Sequence, residues 1–99
     1  MGVISQQIIF DAREVLRIRH SSFDGEIADL IAAAKADLIL GGVLPDKVEN
    51  ETDPLIRRAI MCYVKAEFGL DSADAVKYRE SYNLQRQALM LSSDYLGSE

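Results

Sequence analysis

The residue types that most often carry enzyme chemistry are scarce in this sequence. Its 99 residues include one cysteine, Cys62, one histidine, His20, and no tryptophan. A metal needs several ligands, and His20 stands in a polar break with no cysteine nearby, so we expect a surface or helix-end histidine. Cys62 lies among apolar residues and is expected to act as a small hydrophobe, since a catalytic thiol needs a base beside it. The sequence therefore predicts a protein that is not an enzyme, with no catalytic residue, cofactor or metal.

Long apolar runs and an excess of positive charge are also missing. Arg57, Arg58 and Lys65 interrupt the richest apolar stretch, which is too short to cross a bilayer. The net charge of −5 makes a nucleic-acid groove unfavourable, because phosphate binding depends on clustered Lys and Arg. The same charge suits a surface that DNA passes without being held. With 48% hydrophobic and 27% charged residues, the composition is that of a globular chain.

The stretch from Asp53 to Gly69 carries the signals of both ends of a helix. Asp53 can accept hydrogen bonds from the first turn, Pro54 fits the first helical position, and Gly69 can take the left-handed closing conformation. Between them, apolar side chains cover most of the circumference. A helix that is apolar nearly all round must be covered on several sides, so this is the predicted central helix, with Ile60 and Val64 in the core.

Cap residues and helical spacing predict three more helices, near residues 5–18, 22–40 and 72–91, beside the central helix at 53–68. Ser5 is the expected cap of the first, Ser21 or Ser22 of the second, and Asp71 or Ser72 of the last. Gly41 and Gly42 should end the second helix, with Val43 folding back on it. The sequence thus predicts an all-α, single small domain of about four helices over residues 1–99. A mobile loop is expected at 43–52 and a frayed tail at 92–99.

Two helices carry more apolar surface than a small domain needs. The last helix has one stripe of Ala75, Tyr78, Tyr82 and Leu89, with Gln85 as a further candidate, and a second stripe of Leu84, Ala88 and Leu91. The second helix has an alanine-rich back formed by Ala28, Ala32, Ala33 and Ala36. Large apolar patches usually mark contact sites, so we expect a subunit of an assembly.

Arg57 and Arg58 are unusual because positive charge early in a helix opposes its dipole. Two interpretations are open: Glu51, Asp53 or nearby acids neutralise them, or they meet an acidic surface on a neighbouring subunit. The candidate interface residues are Arg57, Arg58, Leu84 and Leu91.

Several segments resemble the small head–tail connector proteins of tailed bacteriophages, also labelled DNA-packaging proteins. Residues 23–38, which begin Phe-Asp-Gly-Glu-Ile-Ala-Asp-Leu, resemble the second helix of that family. Residues 53–60, continuing through 63–69, look like its central helix, and 81–84 and 89–95 are also similar. The likeness spans nearly the whole chain, although its motifs are helical and compositional rather than catalytic.

The resemblance implies an all-α subunit that forms a homo-oligomeric ring below the portal protein at the capsid vertex. Such a ring extends the DNA channel, lets DNA pass without specific binding, and gives stopper or tail-completion proteins a platform. It also implies location in the virion, after assembly in the cytoplasm of the bacterial host, and no membrane association. The family has no catalytic residues to carry over.

The alternative is a small helical regulatory or DNA-interaction module. A DNA reader needs a basic recognition helix, and the last helix offers Lys77, Arg79 and Arg86 diluted by Asp74 and Glu80. The connector interpretation is therefore preferred.

Overall fold

The computed structural model describes residues 4–68 and 73–96, and within these ranges it contains helices and no strand. The helices are α1 (Gln6–Leu16), α2 (Asp24–Leu40), α3 (Pro45–Val48), α4 (Pro54–Glu67), α5 (Ala75–Met90) and α6 (Ser93–Leu96). The predicted all-α class and its four long helices are confirmed. The short helices α3 and α6 were not predicted, because four residues are too few for a recognisable helical period.

The helix ends agree with the sequence signals in most places. The Ser5 hydroxyl accepts a hydrogen bond from the Ile8 backbone N–H at 3.2 Å, and Asp53 caps α4 by accepting from Leu55 at 2.9 Å. Gly42 has a positive φ of 112°, and the buried Val43 donates back to the Leu38 carbonyl at 3.1 Å. These features close α2 as predicted.

The serine caps expected for α2 are wrong. The residue before the helix is Phe23, and no side chain caps this end. Asp24 and Glu26 in the first turn supply favourable charge instead, and Asp24 also binds Arg13 of α1 at 2.8 Å. The predicted caps Gly69, Asp71 and Ser72 lie outside the described residues.

Helix α4 is the centre of the core, as the sequence predicted. It contacts α1, α2 and α5, and both Ile60 and Val64 are completely buried. Its other buried residues are Ile56, Ala59, Met61 and Ala66. The surrounding core side chains come from α1 (Ile8, Ile9, Ala12), α2 (Ile27, Ile31, Ala34, Leu38), the following segment (Val43, Val48) and α5 (Tyr82, Leu89).

A buried cation fixes the segment between α2 and α4. Lys35 of α2 is only 5% exposed, and its Nζ lies 2.9 Å from Glu49 Oε1 and 2.7 Å from Glu51 Oε2. Glu51 Oε1 also accepts a hydrogen bond from the Ser5 hydroxyl at 2.5 Å. The Lys35 cluster, formed by Lys35, Glu49, Glu51 and Ser5, therefore joins this segment and the start of α1 to α2. The mobility expected for residues 43–52 stays a prediction.

The end of the described chain folds back on the same region. The Tyr95 hydroxyl donates to Asp53 Oδ2 at 2.9 Å, and the Tyr95 carbonyl accepts from the Leu44 N–H at 2.8 Å. Residues 93–96 of the predicted frayed tail are thus helical and held by α6 contacts, whereas residues 97–99 lie outside the described range. Fraying of the tail remains a prediction.

Replacing Ile60 with Ala should lower the free energy of unfolding by about 2–5 kcal/mol, because it removes buried methyl groups and leaves a cavity in the centre of the core. The matched control is Val76→Ala on the exposed side of α5, for which we expect a change within about 0.5 kcal/mol. Urea unfolding of both variants measures the difference. An equally small loss for Ile60→Ala would contradict the central position of α4.

Stability should depend on pH through Glu51. Burial alone would raise the pKa of Glu51, but hydrogen bonds from Lys35 and Ser5, and the Lys35 charge, lower that pKa below its ordinary value of 4.5. The resulting stabilisation is present above the ordinary pKa and is lost as the pH falls through the lowered folded-state pKa. Glu51→Gln should therefore be less stable than wild type at neutral pH and lose less stability on acidification.

Urea unfolding between neutral pH and about pH 3 measures this dependence. Glu14→Gln, on the exposed side of α1, is the matched control and should keep the wild-type pH profile. A Glu51→Gln variant whose profile matches wild type throughout would contradict the role of the Lys35 cluster.

Candidate interaction surface

Helix α5 has one apolar stripe that is largely buried and a second that is exposed. Of the first predicted stripe, Ala75, Tyr82 and Leu89 are buried, whereas Tyr78 and Gln85 are half-buried. On the second stripe, Leu84 is 68% exposed and Leu91 is 81% exposed, with Ala88 exposed between them. The fold thus covers one apolar stripe of α5 and leaves the other open.

A shallow groove runs beside the exposed stripe. It has a volume of about 100 Å³ and is lined almost entirely by apolar surface from Leu55 and Arg58 of α4 and Gln85, Ala88 and Leu89 of α5. Leu84 and Leu91 lie four residues before and three residues after Ala88, on the same side of the helix. We call these residues together the α4–α5 groove. An apolar groove flanked by two exposed leucines is typical of a contact site.

The two neighbouring arginines point to different parts of the molecule. Arg57 Nη2 lies 2.6 Å from Asp11 Oδ2, so Arg57 ties α4 to α1. The acid that neutralises Arg57 is therefore Asp11 of α1, rather than Glu51 or Asp53. Arg58 is exposed, lines the α4–α5 groove, and makes no ion pair among the residues the structure describes. Of the four predicted interface residues, Arg58 lines the groove, Leu84 and Leu91 are exposed on α5 next to Ala88, and Arg57 does not line it.

Polar contacts hold the other side of α5 to α2. The Tyr82 hydroxyl donates to Asp37 Oδ2 at 2.6 Å, and Arg86 Nε pairs with the same oxygen at 2.9 Å. Burial, followed by the hydrogen bond to Asp37 and its charge, raises the pKa of Tyr82 above its ordinary value. Arg79 pairs with Glu67 at 2.8 Å. Two of the three basic residues proposed for a DNA-reading helix are therefore engaged within the chain.

Helix α2 presents a second exposed surface. Glu26, Asp29, Ala32, Ala36 and Leu40 are all exposed and follow one another at intervals of three or four residues, so they form one continuous line. We call this line the α2 outer stripe; it lies away from the buried residues Ile27, Ile31 and Leu38. Leu40 at its end is 84% exposed. The alanine-rich back predicted from the sequence is therefore open at Ala32 and Ala36, and half-buried at Ala28 and Ala33.

The described residues contain no group of three His, Cys, Asp or Glu side chains placed to hold a metal ion. His20 is exposed beside the Phe23 ring, 5.5 Å between centroids. Cys62 is half-buried between α4 and α5, where the Gln85 amide nitrogen lies 3.2 Å from its sulfur. Within 4–68 and 73–96, no helix is long and apolar enough to span a membrane.

The described residues thus form an all-helical domain with an exposed apolar groove between α4 and α5. A family model described as phage connector protein matches residues 8–96. The match covers most of the chain and all six helices except the first two residues of α1. The chain therefore belongs to the phage connector protein family, which confirms the resemblance found in the sequence. This family gives the protein a head–tail connector role and makes it a structural component of the virion.

No curated protein and no solved structure matches the chain. The family match is thus the finding on which the connector role rests.

The exposed leucines should be unimportant for folding. Leu84→Ser and Leu91→Ser should each change the free energy of unfolding by no more than about 0.5 kcal/mol, because both side chains are already in water. Leu89 lies five residues after Leu84 and two before Leu91, but it is buried. Leu89→Ser should therefore lower the free energy of unfolding by about 3 kcal/mol or more, through lost burial and an enclosed hydroxyl. Thermal or urea unfolding separates the two groups. A large loss at Leu84 would mean that this side chain belongs to the core.

Proposed function

We propose that the protein is an adaptor subunit that assembles into a homo-oligomeric ring below the portal protein. The ring extends the DNA channel and offers stopper or tail-completion proteins a platform. Subunits are made in the bacterial host cytoplasm and join the capsid vertex there. In this proposal Arg58, Leu84 and Leu91 contribute to contacts between subunits or with the portal, and Arg57 supports them from within by fixing α4 to α1.

The observation that carries the proposal is the open second stripe of α5 in a member of the phage connector protein family. Leu84 and Leu91 are largely exposed beside an apolar groove, although the chain has a complete core without them. Surface of this kind favours a binding role. Two unlike open faces, one on α5 and one on α2, favour head-to-tail contacts that can close into a ring.

The charge distribution supports a channel that does not hold DNA. The chain has 16 acidic and 11 basic residues. Arg13, Lys35, Arg57, Arg79 and Arg86 are all paired with carboxylates within the chain. Five of the eleven basic side chains are thus already neutralised by carboxylates, and the net charge is −5, which disfavours the alternative of a DNA-interaction module.

The experiment mixes the purified chain with the purified portal ring of the same phage and images the mixture by electron microscopy. We expect an added ring of density coaxial with the portal channel, and no shift of a DNA fragment by the chain alone at physiological salt. The free chain is also weighed in solution, since a ring that needs the portal as a template leaves the free chain monomeric. A chain that stays monomeric with the portal and shifts the DNA fragment would establish the regulatory alternative.

A paired variant connects this experiment to the surface. Leu84→Ser combined with Leu91→Ser should abolish the added density while leaving the helix content unchanged by circular dichroism. Glu14→Gln, exposed on α1, should leave the density intact. If the variant with both leucines replaced gave normal ring density, the exposed stripe of α5 would not be part of the contact.

A further inference from the structure

We infer that the surface beneath α6 is a binding site for a short peptide, and that the end of this chain occupies and closes it. Helix α6 is then a strap, which a segment of another protein displaces. The chemistry of the ligand is read from α6 itself: a tyrosine followed by an aliphatic residue. This surface is distinct from the α4–α5 groove, and the inference is independent of ring formation.

The site holds α6 at three separate points. The Tyr95 hydroxyl donates to both oxygens of Asp53, at 2.9 Å and 3.1 Å. The Tyr95 carbonyl, which belongs to the peptide bond before Leu96, accepts from the Leu44 N–H at 2.8 Å. Leu96 Cδ2 lies 3.6 Å from the place that a Cβ would take on Gly42, so this leucine packs against a residue without a side chain. The site thus recognises a phenol, an aliphatic side chain and the peptide bond between them.

The charges around the phenol favour its neutral form. Lys47 Nζ lies 5.8 Å from the centroid of the Tyr95 ring, within reach of a cation–π contact. Burial, followed by the hydrogen bond to Asp53 and the charges of Asp53 and Asp94, raises the pKa of Tyr95 above its ordinary value. The hydroxyl is therefore a proton donor at neutral pH. A phosphate on this ring would face the Asp53 carboxylate, so the site should accept tyrosine and reject phosphotyrosine.

Helix α6 is separable from the rest of the fold. None of its four residues is buried, and the completely buried side chains of the core all come from other elements. Segments with few buried contacts open locally, at a free energy below that of global unfolding. The strap can therefore leave its site while the four long helices stay folded.

The occupant that displaces α6 is a segment of another protein rather than the α6 of a second copy. Exchange between two copies replaces one set of contacts with the same set, and the tether to α5 keeps the chain's own α6 at an effective concentration on the order of millimolar. A competitor needs contacts that α6 does not make. Leu40, two residues before Gly42, is 84% exposed and offers apolar surface to a longer segment.

Hydrogen exchange tests whether α6 opens on its own. In the wild-type chain, the Leu44 amide should exchange at least about tenfold faster than the Val64 amide of the core, after correction for intrinsic rates. Tyr95→Phe should speed Leu44 exchange by a further factor of about ten or more, because a hydrogen bond to a charged acceptor is lost. Tyr78→Phe on α5 is the matched control and should leave the Leu44 rate unchanged. Leu44 exchange at the Val64 rate, or at the wild-type rate in Tyr95→Phe, would overturn the inference.

A peptide added in trans tests the site. The probe is Ser-Ser-Asp-Tyr-Leu-Gly-Ser-Glu, the sequence of residues 92–99, and the receptor is the full chain carrying Tyr95→Ala and Leu96→Ala. In an NMR titration the peptide should shift the Leu44 and Lys47 amides of this receptor. The wild-type chain should bind the peptide at least about tenfold more weakly, because its own α6 competes. Circular dichroism checks that the receptor is folded, and Tyr95→Phe, which keeps the ring, replaces it if it is not.

Two altered peptides show which chemistry the site reads. Phenylalanine or phosphotyrosine in place of the tyrosine should each weaken binding by about tenfold or more, through loss of the hydroxyl or repulsion by Asp53. A phosphotyrosine peptide that binds as well as the unmodified one would place the contact away from Asp53 and overturn the site. So would equal binding by the wild-type chain and the receptor variant, or no amide shift at several times the millimolar range. Ring formation is measured separately with the portal, so failure here leaves the proposed function standing.

Discussion

Burial of α4 is the constraint on which the rest of the structure depends. This helix is apolar on nearly every side, so it cannot be stable until several neighbours cover it. Helices α1, α2 and α5 each contact it, and its side chains Ile56, Ile60 and Val64 are completely buried as a result. Each surrounding helix uses one face for this purpose. Their opposite faces then have no role in the core, which is why a chain of this size can carry exposed apolar residues on α2 and α5 without losing its fold.

Polar contacts arrange what the apolar core does not reach. The segment after α2 contributes only two buried side chains to the core, Val43 and Val48, and it is fixed further by Glu49 and Glu51 on Lys35. A buried charge is costly unless it is paired, so removing either side of the Lys35 cluster leaves an unfavourable group behind. Asp53 completes this arrangement by capping α4 and accepting the Tyr95 hydroxyl at the same time. The start of the central helix is thereby joined to both the preceding segment and the end of the described chain.

Helical periodicity was sufficient to predict the four long helices and the central place of α4, because those features follow from local spacing of apolar residues. The contacts that it could not predict join residues far apart in the chain. Arg57 and Asp11 are 46 positions apart, and nothing in the sequence near Arg57 indicates that partner. Adjacent arginines also point about 100° apart around a helix, so the pattern Arg-Arg did not show that only Arg58 would reach the groove. The exposed stripe of α5 was predicted as a surplus surface, whereas the exposure of Leu55 on α4 was not predicted.

Separation of the core from the exposed faces has a consequence for assembly. The side chains that hold the fold together are buried, whereas those of the proposed contact are in water before binding, so a contact can form and break without unfolding a subunit. In the proposed ring, a contact made by a few exposed leucines is weak between two copies. In a closed ring every subunit uses both of its faces, and the last contact forms between ends that are already held close together. Many weak and identical contacts can therefore give a stable ring, while a free pair of subunits dissociates readily. A portal that holds the first subunits in place would favour the ring by the same effect.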